Sequence, residues 1–160
     1  MRRTIRRQRL RRQGLRGQGL GLGTLALVAL LPLAGQARNT EVILPAEKAV
    51  TSPHGKKYLL DVPVFFKGQA DAPRGKVLST VTTEQASRGA FRSDEASCRV
   101  AFLTALRELQ ERARSGGGDA VVDIVSVTRD VRTESPTNYR CVAGAMIVHV
   151  ALEGTIVELD

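Results

Sequence analysis

Apolar residues set at helical spacing mark the clearest element of this chain. Cys98, Phe102, Ala105, Leu106 and Leu109 follow the i, i+4, i+7, i+8, i+11 pattern of one helix face, and Arg107, Glu108, Glu111 and Arg112 fall largely on the other. Ser93 is a good N-cap, and Asp94 and Glu95 complement the positive end of a helix dipole. The run "SGGGD" at 115–119 stops the pattern, so a helix is predicted from about Asp94 to Arg114.

Strand-like patterns lie on both sides of it. "VIL" at 42–44 predicts a short strand ended by Pro45. Ser52 and Pro53 have the residue types of an N-cap and a first helical position, which predicts a brief helix in "SPHGKKYLL". "DVPVFFKG" predicts a strand near Asp61–Lys67, with Pro63 favouring an edge or a bulge. "KVLSTVTT" alternates as a strand over 76–83, and 84–92 is read as irregular. "DAVVDIVSV" at 119–127 is apolar on both faces apart from Asp123 and Ser126, as in the middle of a sheet.

The stretch 138–154 is read as one long strand. One face would carry Cys141, Ala143, Ala145, Ile147, His149 and Ala151, small enough for a helix to approach. The other would carry Val142, Gly144, Met146, Val148, Val150 and Leu152. One helix covers only one side of a sheet. Val142, Met146, Val148 and Val150 are therefore expected to be buried by the segment 41–60 or to form an interface, in part with a second copy.

Charge first suggests nucleic acid, since the net charge is +8. Its distribution removes that suggestion. Eight of the 24 basic residues lie between Arg2 and Arg16, and no acid precedes Glu41. From Arg38 onward basic and acidic residues balance at 16 each. Behind the arginines comes "LGLGTLALVALLPLAGQA", an uncharged apolar stretch ending in small residues. That order is the pattern of a secretory signal peptide over residues 1–37, cleaved between Ala37 and Arg38. A basic tail and an uncleaved signal anchor are the competing readings. No cysteine lies near the cleavage point to take a lipid anchor, and no stable transmembrane span would remain after cleavage. The expected working form is residues 38–160 in the periplasm or outside the cell, one domain with its core in 59–158.

Export changes the meaning of Cys98 and Cys141, the only cysteines. In an oxidising compartment an isolated pair in a small domain reads as a disulfide, the alternative being two buried thiols that never meet. Cys98 lies on the helix's apolar face and Cys141 on the small-residue face of the late strand, so a bridge would pin helix to sheet.

Catalytic chemistry is sparse. The histidines are His54 and His149, and no H-E-x-x-H, C-x-x-C or G-x-S-x-G motif occurs. "GQADAPRGK" is too long for a phosphate-binding loop, and "SGGGD" follows a helix instead of opening one. Aromatic content is 4% with no tryptophan, leaving few surfaces on which bases could stack. No cofactor, catalytic residue or nucleic-acid partner is expected.

"CRVAFLTALRELQERARSGGGDAVVDIVSV" followed by "TNYRCVAGAMIVHVALEGTIV" resembles a group of small secreted bacterial proteins of uncharacterised function, some carrying an excinuclease ATPase label. A 38–160 domain without a phosphate-binding loop does not fit that label. The group is similar to the signalling domain of the RcsF envelope-stress lipoprotein and to YbjQ-like heavy-metal-binding proteins. The resemblance implies an α+β domain with a helix packed on a sheet and, by analogy with RcsF, a disulfide between helix and late strand at Cys98 and Cys141. The chain departs from RcsF in lacking the lipid-attachment cysteine and a second bridge.

The expected fold is therefore α+β: one long helix packed on a small, mostly antiparallel sheet, pinned by one helix–strand disulfide. The expected function is that of a non-enzymatic envelope protein that binds a protein partner, itself included, or senses a signal. The alternative is metal binding through reduced Cys98 and Cys141, with His149 as a further ligand.

Overall fold

A computed structural model describes residues 38–89 and 92–159, which fall in one compact unit. The expected signal peptide, including Ala37, lies outside the described residues. Arg38, the first of them, pairs with Asp94 and donates to the Thr40 hydroxyl at 3.2 Å.

The elements run β1 (Thr40–Pro45), α1 (Ala46–Val50), α2 (Pro53–Tyr58), β2 (Val64–Phe66), β3 (Lys76–Arg88), α3 (Asp94–Ser115), β4 (Ala120–Ser126), a 3₁₀ turn (Thr128–Asp130), β5 (Asn138–Ala143) and β6 (Ile147–Glu158). This is the expected α+β architecture, with α3 packed on a six-stranded sheet and bonded to it through Cys98 and Cys141. All pairings are antiparallel except β2 with β4.

Local signals set the helix ends. The Ser93 hydroxyl accepts the Ala96 amide at 3.2 Å, and that of Ser52 accepts the Gly55 amide at 3.0 Å. α3 stops where Gly117 takes φ +73°, a conformation side chains resist, and the Gly118 amide returns to the Ala113 carbonyl. Pro63 precedes an edge strand of only three residues.

The stretch 138–154 is two strands, not one. A turn at Gly144–Met146 folds β6 back on β5, with the Gly144 amide bonded to the Ile147 carbonyl at 2.9 Å. The turn resets the alternation. Val142 stands opposite His149 and Ala143 opposite Val148, so Cys141 and Ala143 share the helix side with Val148, Val150 and Leu152. β3 also runs beyond its expected end, because Glu84–Arg88 continue the pairing with Ala151–Ile147.

β6 is the spine of the sheet. One edge pairs with β3 along its full length. The other forks: β5 and then β1 occupy its first part, while β4 and then β2 occupy its last. Thr128 fills the root of the fork. Its buried hydroxyl accepts the Ala151 amide at 3.0 Å and donates to the Arg140 carbonyl at 3.1 Å, and the Ser126 hydroxyl accepts the Arg140 amide at 3.0 Å. Strand groups that cannot reach each other are thus satisfied through side chains.

The core lies between α3 and the sheet. Phe102 stacks on Tyr139 with ring centroids 3.8 Å apart, and Leu103, Leu106 and Leu109 are fully buried. Gly154 lets β6 come close beneath Leu109, since a Cβ there would sit 2.7 Å from a Val121 methyl. Gln110 is buried and binds the segment before β2, donating to the carbonyls of Leu60 and Val62 and accepting the Leu60 amide.

Candidate interaction surface

The sequence singled out Cys98, Cys141 and His149, and the fold joins the two cysteines while setting His149 apart. Cys98 sits one turn into α3 on its core face, and Cys141 sits in β5 opposite Val42 of β1. Their Cα atoms are 5.9 Å apart, the sulfurs are bonded, and neither residue is exposed. Such a bridge is structural, because a thiolate nucleophile or a metal has no path to it. His149 pairs with Val142, so it leaves the sheet on the face away from Cys141. Its Nδ1 lies 3.7 Å from a Glu84 carboxylate oxygen, too long for a hydrogen bond. Among the described residues no three His, Cys, Asp or Glu side chains converge on one point. His54 stacks on Tyr58 within α2.

Val142, Met146, Val148 and Val150 do not form one apolar face. The turn at Gly144–Met146 sends Val148 and Val150 inward, where both are fully buried under α3. Val142 stays on the far face but is only 5% exposed, and Met146 projects from the turn at 66%.

The far side of the sheet has a different set of exposed groups. Ile43, Val77 and Ile147 alternate with helix-facing neighbours, so they point away from α3, and each is about half exposed or more. Thr80, Thr82 and Glu84 of β3 face Thr155, Glu153 and Ala151 of β6 on the same side. The segment after β4 lies beside this face and closes a cleft of about 560 Å³ lined by Thr82, Glu84, Arg129, Asp130, Arg132 and Glu153. Arg129 and Asp130 both adopt left-handed backbone, at φ 55° and 59°. Consecutive side-chain-bearing residues rarely do so, and here they aim two opposite charges at the cleft wall.

Charge pairing fixes the segment. Arg132 donates to Glu153 at 2.7 Å and to Glu134 at 3.2 Å, which raises its already high pKa. Glu134 also accepts from Lys67, and these donors hold its carboxyl below the usual range. On the helix side, burial pushes the Tyr139 phenol well above its ordinary value. None of these groups is arranged as an acid–base pair around a reacting atom.

Ile43 and Ile147 were not singled out in the sequence. Ile43 was legible as the middle of "VIL", whose flanking residues turn inward. Ile147 was hidden by reading the turn as strand, and the small run "AGA" at 143–145 was its one signal. No family model matches the chain, and no curated protein or solved structure matches it either. No helix among the described residues is long and apolar enough to cross a membrane.

Proposed function

We propose that this chain is an exported, non-enzymatic binding domain of the bacterial cell envelope, related in kind to RcsF-type and YbjQ-like domains. Residues 1–37 direct export and are removed, and the disulfide forms in the oxidising compartment beyond. A protein partner meets the face of the sheet away from α3. The observation that carries this reading is the placement of Ile43, Val77 and Ile147, each about half exposed or more, on a face that no α-helix among the described residues covers. Glu84 and Glu153 lie between Ile147 and Val77 along the strands, and apolar residues mixed with charges in this way suit a protein surface. The metal reading is weaker, since its two sulfurs bond each other and His149 faces away from them.

Photo-crosslinking side chains placed at Ile43 and Ile147, with Glu111 on the outer side of α3 as control, test the surface in intact envelopes. Both sheet positions should give the same heterologous adduct, and Glu111 none. Equal labelling from all three positions, or only monomer at every position, would overturn the assignment.

A further inference from the structure

The sheet has three outer strands, and two are blunted as outer strands usually are. β1 has six residues and ends in Pro45; β2 has three and follows Pro63. β3 has 13, and among the described residues only β6 pairs with it, leaving its outer edge open. Its start is protected by Lys76 and by a bulge between Val77 and Ser79. From Ser79 to Arg88 the pairing with β6 is unbroken, with no proline and no charges other than Glu84 and Arg88.

Those two charges are opposite in sign and four residues apart, so they lie on one face of the strand. A strand that pairs antiparallel with its own copy sets residues opposite each other symmetrically about the dyad. With the dyad at Ala86, Glu84 stands opposite Arg88 of the copy, and Arg88 opposite the copy's Glu84. A dyad at Glu84 would set the two glutamates face to face, and one at Arg88 the two arginines. A dyad at Thr82 would bring Arg88 onto Lys76. Ala86 is itself exposed and small, and among the described residues no strand pairs with this edge at the centre.

We propose that a second copy of this chain docks edge to edge on β3, antiparallel about Ala86, and is held by two reciprocal Glu84–Arg88 pairs. The dyad runs perpendicular to the sheet, so both α3 helices stay on one side and both partner-binding faces remain open on the other. The pairing uses an edge and not a face, so it goes beyond the partner assignment and stands or falls separately.

Sedimentation of the oxidised protein over a concentration series tests the pairing. The natural chain should form a dimer. Arg88→Glu should raise its dissociation constant by about tenfold or more, since two attractive pairs become repulsive. The double variant Glu84→Arg/Arg88→Glu should restore the dimer, and mixing the two single variants should give a heterodimer. Ala86→Cys should crosslink to its own copy under oxidation, whereas Val77→Cys should not. A natural chain that stays monomeric throughout, a dimer indifferent to Arg88→Glu, or an A86C chain that fails to crosslink would overturn the proposal.

Discussion

The two sides of one sheet are built on different terms, and β6 shows it along a single strand. Toward α3, Val148, Val150, Leu152 and Ile156 are fully or almost fully buried. Away from α3, Ala151 and Val157 of the same strand are buried but His149, Glu153 and Thr155 are part-exposed, and these three pair with Ala86, Thr82 and Thr80 of β3. The helix side holds the disulfide, the aromatic stack and the leucines. The far side holds charges, left-handed backbone and the exposed Ile43 and Ile147. Most of the core thus lies on one side, and on the other a smaller cluster of Ala120, Val122 and Val157 sits beside the stretch left to a partner.

Removing the bridge tests that division most severely. Cys98→Ala with Cys141→Ala should lower the unfolding free energy by about 4 kcal/mol in urea titrations, the chain-entropy value for a bond closing 43 positions. A loss near zero would mean that packing alone holds α3 to β5. Thr128 joins the two branches of the fork, so Thr128→Val, which keeps its shape, should cost ~1–3 kcal/mol by orphaning buried strand groups.

Tyr139 supplies a smaller effect that depends on pH. Burial raises its folded pKa above the unfolded value of ~10, so its contribution is present below that pH and is lost as pH rises beyond it. The natural chain should therefore lose stability above pH ~10 more steeply than Tyr139→Phe, measured as melting temperature against pH. The far side should respond least. Ile147→Ser should leave stability within ~0.5 kcal/mol while abolishing the envelope crosslink. A large stability loss there would make Ile147 part of the core's support and erase the contrast.

Much of this architecture was legible in sequence because local chemistry agreed with the global fold. The stripe from Cys98 to Leu109, the Ser93 cap and the glycines after Ser115 specify α3 without reference to anything distant. Its contact with the face bearing Cys141 followed from periodicity, and the bridge is where that reasoning placed it. The face of Val148 and Val150 was misread for a reason of the same kind. Alternation within a strand assigns faces only while the strand continues, and the turn at Gly144–Met146 carries none of the usual Asn-Gly or Asp-Gly signals. One unrecognised turn moved Val148 and Val150 from the surface to the core. The end of β3 was missed because its polar residues look like loop until β6 supplies a partner. The fork closed by Thr128 was illegible, since it depends on side chains that meet only after the strands assemble.

The first measurement should be the intact mass of the protein from its native compartment, with and without reduction and alkylation. An exported domain with a sealed bridge should begin at Arg38, weigh two hydrogens less than its reduced form and resist alkylation until denatured. A full-length chain with two freely alkylated thiols would contradict export and the bridge together. The arginines from Arg2 to Arg16 would then belong to the working protein.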